Sequence, residues 1–180
     1  TALFIAAHAG LCTTHIRLAA NEEQKAQWLP KLASGEVIGS WCLSEPDCGT
    51  DAEALTTRAE RTKNGWVLNG RKFWITNGKR AGIFVVTART KPERGARTIS
   101  AFLVEGDRKG LIVGEPEDKM GMRASDTVPV SFENCEIPEA NLCGELHAGY
   151  VDALRVLDRG RCTIGSLSVG LGRGCLEEAV

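Results

Sequence analysis

The sequence contains no run approaching the ~20 apolar residues that a membrane helix needs, so no membrane insertion is expected. It has no Lys/Arg run dense enough for a basic face, which excludes the usual nucleic-acid binders, and its net charge of −1 gives no global electrostatic direction. There is no initiator Met, basic leader or small-residue cleavage site at the start, so no signal peptide is visible. No C-x-x-C pair occurs: the seven cysteines (Cys12, Cys42, Cys48, Cys135, Cys143, Cys162 and Cys175) are odd in number and irregularly spaced. That pattern suggests neither a disulfide framework nor a metal site, and reads as free thiols in a reducing compartment. His8, His15 and His147 are scattered; the first two, seven apart on one face of a helix, point to packing rather than ligation.

What remains is a chain of 180 residues with 43% apolar and 25% charged side chains, enough for one ordinary domain or a small domain with partial neighbours. Residues 1–20 are rich in Ala, Leu and Ile and read as a helix already under way. Asn21 followed by Glu22, Glu23 and Gln24 is a capping-box signature, predicting a short helix to about Leu29, a further turn from Pro30 and a stop at Gly35. Short β-rich runs follow at 37–43, 55–62, 66–68, 72–76, 83–89, 98–105, 111–115 and 127–132. Asn64-Gly65, Asn69-Gly70 and Asn77-Gly78 punctuate them as candidate tight hairpin turns. Even spacing without intervening helices predicts an antiparallel sandwich or barrel. A helical pattern returns near His147, through Tyr150, Leu154, Leu157, Ile164, Leu167, Leu171 and Leu176, with a glycine concentration that suits close packing on a neighbour. The expected fold class is therefore α+β, an antiparallel β-domain at 37–141 flanked by incomplete helical parts at 1–36 and 142–180. The chain reads as cut from something longer.

Three segments carry chemistry. In the first, Trp41-Cys42-Leu43-Ser44-Glu45-Pro46-Asp47-Cys48-Gly49-Thr50-Asp51, a strand runs into a loop whose amides and hydroxyls can converge on an anion. In the second, Phe73-Trp74-Ile75-Thr76-Asn77-Gly78, strand alternation puts Trp74 and Thr76 on one face and Phe73 and Ile75 on the other. An indole beside a hydroxyl suits a planar heteroaromatic ring. The third is Lys119-Met120-Gly121-Met122-Arg123-Ala124-Ser125-Asp126-Thr127. Singly, Trp74 reads first as a core residue, and Ser44 and Thr50 first as turn-capping hydroxyls.

Together and in this order the segments resemble the acyl-CoA dehydrogenase family. Trp74 to Gly78 matches its Trp-Ile-Thr-Asn-Gly strand, Lys119 to Thr127 matches Lys-Met-Gly-x-Arg-x-Ser-x-Thr, and the first loop resembles Thr-Glu-Pro followed by Gly-Ser-Asp. Asp47 and Cys48 depart from the usual Gly and Ala there. The resemblance implies FAD as cofactor, held by Trp41, Cys42, Leu43, Ser44, Gly49, Thr50, Trp74, Ile75 and Thr76. The Leu43 amide and Ser44 hydroxyl would lie near the flavin N1 and O2, with Thr76 near N5. For the acyl-CoA substrate it implies Thr50, Asp158 and Arg161, and Arg97 is a candidate for CoA phosphates beside its default as a solvated loop charge. Glu45 is expected to orient its loop, and Arg123 and Asp126 to position domains. No catalytic residue is expected here: the position that carries the base in some relatives is Gly160, so the base should lie beyond Val180. The implied reaction forms a trans-2-enoyl-CoA, with electrons passed to an electron-transfer flavoprotein by a homodimer or homotetramer, in bacterial cytoplasm or mitochondrial matrix. An acyl-CoA oxidase on the same fold, and an inactive flavin-binding or scaffold relative, are the alternatives.

Overall fold

A computed structural model describes residues 2–180. The first helix, Ala2–Ala19, opens into a π-helical segment at His8–Thr13. There Thr13 Oγ1 and Thr14 Oγ1 donate to the carbonyls five residues back, at 2.8 and 2.9 Å, a widening the sequence did not announce. By length and composition this helix could match a membrane span, against the expectation that no segment does. Its Ala7, Cys12, His15 and Ile16 are buried, with Cys12 and Ile16 packed against the sheet, while 22% of the span as a whole is buried.

The second helix, Glu22–Ser34, begins as expected: Asn21 Oδ1 accepts from the Gln24 amide at 2.8 Å and Gln24 Oε1 accepts from the Asn21 amide at 3.2 Å. It continues through Pro30 instead of pausing at Leu29 and ends at Gly35, whose φ of 77° is the left-handed stop. The Gln24 side chain, through Nε2, donates to the Ala140 and Leu142 carbonyls, tying this helix to the far end of the β-region.

Eight strands follow: β1 (Ile38–Cys42), β2 (Arg58–Arg61), β3 (Gly65–Thr76), β4 (Ala81–Arg89), β5 (Ile99–Glu105), β6 (Leu111–Val113), β7 (Thr127–Pro138) and β8 (Leu142–Cys143). They run in the order β6-β7-β3-β2-β4-β5-β8, with β1 joined to β4. The α+β class stands, but the sheet is mixed: β1 lies parallel to β4, as β2 does at the single pair Arg58–Arg89, while the other pairings are antiparallel. β4 reads as a continuous apolar run because both its faces are covered. Phe84, Val86 and Ala88 enter one cluster with Trp66, Leu68, Phe102, Val130 and Phe132. Ile83 and Val85 enter another with Cys12, Ile16, Trp28 and Leu32 of the first two helices.

The three Asn-Gly pairs have three outcomes. Asn64-Gly65 makes the expected tight turn, with the Thr62 amide donating to the Gly65 carbonyl at 2.8 Å. Asn69-Gly70 is no turn: β3 runs straight through it, and Gly70 (φ 148°) sits at a register shift against β7, where a Cβ would come within 2.5 Å of Thr57 Oγ1. Asn77-Gly78 turns the chain from β3 into β4, but those two strands do not pair. In the last helix, Gly149–Ala179, Asp152, Ala153, Val156 and Gly160 are buried. Beyond Gly160 the helix is almost wholly exposed, and the close packing expected of Gly165, Gly170, Gly172 and Gly174 is not met by this chain, since nothing lies within 4 Å of a Cβ built on any of them.

Candidate functional site

β1 ends at Cys42, and its last residues face a bulge in β3. Lys72 is in register with Val130 and Ile75 with Val128, so Phe73 and Trp74 together oppose one residue of β7. The bulge breaks the alternation expected of this strand. Trp74 takes φ 59°, a conformation bulky residues rarely adopt, and its indole turns outward to 57% exposure, edge-on to Phe73 at 4.9 Å. Trp74 and Thr76 nonetheless line a common cavity, with Trp41, Leu43, Ser44 and Ile75. Ala7 and Leu11 of the first helix complete it, and these same two residues with Thr76 also line an adjoining cleft of about 510 Å³. That cleft is otherwise apolar apart from Arg161 and Thr163, with Gly160 in its wall.

Six of the residues singled out in the sequence are thus brought together: Trp41, Leu43, Ser44, Trp74, Ile75 and Thr76. Others are not. The Cys42 side chain faces the core, where burial pushes its thiol up to about 12, so only its backbone can face a ligand. Gly49 and Thr50 are exposed on the loop and line neither cavity. Arg97 lies in a separate polar cleft with Lys91, His147 and Arg155. Asp158 is exposed and lines neither the cavity nor the cleft that holds Arg161. Arg123 and Asp126 do not pair with each other: Arg123 meets Asp118 and the Lys119 carbonyl, while Asp126 accepts from the Lys79 amide at 2.9 Å.

The supporting ion pair was not anticipated. Lys72, fully buried in β3, donates from Nζ to the Leu43 carbonyl at 3.0 Å, to Glu45 Oε1 at 2.9 Å and, at 3.5 Å, to Thr87 Oγ1. Glu45 is the orienting carboxylate expected: it also accepts from the Thr56 amide and hydroxyl and the Thr57 amide. Burial alone would raise its pKa, but the Lys72 ammonium and these donors outweigh that and hold it at about 2. Burial pulls Lys72 down while Glu45 pulls it back up, and three acceptors around the ammonium favour the charged pair. Arg89 closes the other end of the loop, bonding to the Glu53, Leu55 and Glu93 carbonyls and to Thr98. The only signal for Lys72 was a lysine inside an apolar strand, and spacing could not give its partner, 27 residues away.

The histidines pack, as their spacing suggests. The Gly39 amide donates to His8 Nδ1 at 2.9 Å, so Nε2 carries the proton it gives to the Leu32 carbonyl. His15 accepts at Nδ1 from the Trp41 indole at 3.2 Å, and burial lowers its pKa to about 4. No group of three His, Cys, Asp or Glu among the described residues could hold a metal.

Residues 40–135 match the model of the acyl-CoA dehydrogenase middle domain, and residues 1–36 that of the acyl-CoA dehydrogenase N-terminal domain. This chain belongs to the acyl-CoA dehydrogenase family. It is 44% identical over 159 residues to the short/branched chain specific acyl-CoA dehydrogenase, mitochondrial, of Rattus norvegicus, covering 88% of this chain and 37% of that protein. Butyryl-CoA dehydrogenase from Megasphaera elsdenii superposes with a TM-score of 0.96 at 35% identity, covering 98% of this chain and 46% of that one. The complex of glutaryl-coenzyme A dehydrogenase with glutaryl-CoA superposes at 0.94 with 30% identity, covering 98% and 45%. This chain therefore spans less than half the length of these relatives.

Proposed function

We propose that this chain forms the flavin-facing part of an enzyme that oxidises the Cα–Cβ bond of an acyl-CoA thioester to the trans-2-enoyl-CoA with FAD. The observation that carries the reading is the cavity in which an outward-turned Trp74 meets the hydroxyl-bearing residues Ser44 and Thr76 over apolar walls. An exposed indole, two hydroxyls and an apolar floor fit a planar ring with a hydrogen-bonding edge. FAD, when bound, would supply the hydride acceptor. Trp41, Leu43, Ser44, Trp74, Ile75 and Thr76 would hold its ring system, Cys42 would contribute its backbone, and Gly49 and Thr50 would reach its pyrophosphate from the exposed loop.

The adjoining apolar cleft of about 510 Å³ suits the acyl chain, with Arg161 at its rim for the thioester side and Asp158, Thr50 and Arg97 assigned to the CoA moiety. Water would be excluded there by Leu3, Ala6, Leu11 and Leu157. The base that removes the α-proton lies outside this chain. A general base needs a pKa near the working pH, whereas Glu45 is engaged by Lys72 and held at about 2, and Gly160 offers no side chain. The domain division 1–36, 37–141 and 142–180, transfer of electrons to an electron-transfer flavoprotein, a homodimer or homotetramer, and a bacterial cytoplasmic or mitochondrial matrix setting complete the reading.

Anaerobic titration of the full-length protein with a panel of acyl-CoAs tests it. Bleaching of the flavin absorbance is expected with at least one acyl-CoA, and slow reoxidation in air separates a dehydrogenase from an oxidase. A colourless protein that gains no flavin absorbance on adding FAD contradicts the reading.

A further inference from the structure

We propose that Lys72 is a positioning residue of the flavin site, acting through Thr87 and the Leu43 carbonyl to fix and polarise the peptide groups at the end of β1. The inference rests on the flavin reading above. Two consecutive carbonyls at that end are held by the Lys72–Phe73 step of β3: Leu43 O by Lys72 Nζ at 3.0 Å, and Ser44 O by the Phe73 amide at 2.9 Å. The same step leads into the bulge that turns Trp74 outward. The spacing between the indole and the Leu43–Ser44 backbone is thereby set before any ligand arrives.

The ammonium also reaches the backbone by a second route. Lys72 Nζ donates to Thr87 Oγ1 at 3.5 Å, the longest link, and Thr87 Oγ1 donates to the Cys42 carbonyl at 3.2 Å. The Cys42 carbonyl belongs to the peptide whose N–H is that of Leu43, and the Leu43 carbonyl to the peptide whose N–H is that of Ser44. A donor on each carbonyl makes the corresponding N–H a better donor, because hydrogen bonds in a chain polarise one another, more so in a low-dielectric interior. All three side chains of this chain of contacts are buried: Lys72 and Thr87 are 0% exposed and Glu45 4%. Glu45 balances the charge so that the ammonium can be accommodated there. Donors strengthened at a ligand edge that gains negative charge on accepting hydride favour the reduced form.

The test uses the full-length, FAD-loaded protein and reads the reduction potential of the bound flavin, its dissociation constant and the melting temperature. Thr87→Val removes the hydroxyl link while keeping shape and the Lys72–Glu45 pair; Thr87→Ser restores the hydroxyl. Thr87→Val should shift the oxidised-to-reduced ratio about tenfold toward the oxidised form, which is about 30 mV for a two-electron couple, and Thr87→Ser should return it. The paired variant Lys72→Met/Glu45→Gln, which removes the ammonium without stranding a carboxylate, should shift it at least as far and weaken FAD binding. If Thr87→Val is loaded and its potential matches the parent, the polarising role is wrong. If the paired variant also binds FAD as the parent does, the positioning role is wrong as well. A parent protein that takes up no flavin contradicts the functional reading itself.

Discussion

The loop of residues 43–57 and the last helix both bear residues assigned to the site, yet the chain treats them differently. Lys72 holds the start of the loop, Glu45 ties that start to Thr56 and Thr57 at its end, and Arg89 holds Glu53 and Leu55; besides one another, these three buried charged groups have eight distinct partner residues. The helix is packed only as far as Gly160. Past it Arg161, Thr163 and Ile164 only line the open cleft, and the apolar Val169, Leu171 and Leu176 are exposed. The difference teaches that the part of the site proposed to face the flavin is organised within this chain, whereas this chain leaves the last helix beyond Gly160 largely uncovered. Burial of a charge is costly unless it is fully bonded, so charges invested in a loop mark where geometry has to be fixed.

The largest break in that contrast should come from Lys72→Met, which leaves Glu45 buried without its cation. Loss of one partner of a buried pair costs about 3–5 kcal/mol, read as a large drop in melting temperature. Lys72→Met/Glu45→Gln should recover most of it. Arg89→Met should follow, at about 3 kcal/mol, because the Glu53, Leu55 and Glu93 carbonyls lose a charged donor; chemical denaturation measures it, and a loss below about 1 kcal/mol would show that Arg89 is not needed to hold the loop.

Acid should loosen the loop before the helix end. Glu45 has its folded pKa depressed from 4.5 to about 2, so its contribution is present above pH 4.5 and is lost as pH falls toward 2. His15 is also depressed, from 6.5 to about 4. The unfolded chain therefore takes up its proton first, and stability falls as pH drops through that window. Stability profiles should decline below about pH 6.5 in two stages, and Glu45→Gln should flatten the lower one. The smallest effect belongs to the exposed helix: Ile164→Ser should change the stability of this chain by no more than about 0.5 kcal/mol.

Much of this was legible in the sequence, for reasons that are local. Capping at Asn21 and Gln24, the stop at Gly35 and the turn at Asn64-Gly65 depend on neighbours within a few residues. The motifs around Ser44 and Trp74 pointed to residues that the structure brings to one cavity, and the loop position of Glu45 pointed to the bonds it makes to Thr56 and Thr57. The parts that were not legible depend on distant pairing. Asn69-Gly70 carries the chemistry of a hairpin turn, yet pairing of β3 along β7 turned it into a strand irregularity. The bulge at Phe73–Trp74 overrode strand alternation for the same reason. The parallel partnership of β1 with β4 joins segments separated by two intervening strands, and Lys72 reads as an ordinary strand lysine until Glu45 is beside it.

Hydrogen–deuterium exchange on this chain without cofactor tests the contrast most directly. The bonded loop amides, those of Thr56 and Thr57 on the Glu45 carboxylate and that of Glu45 on the Cys48 carbonyl, should be protected close to the level of β4. Amides beyond Gly160 in the last helix should exchange orders of magnitude faster through local opening. If these loop amides exchange as quickly as the helix end, the half proposed to face the flavin is not organised in advance, and the account is wrong.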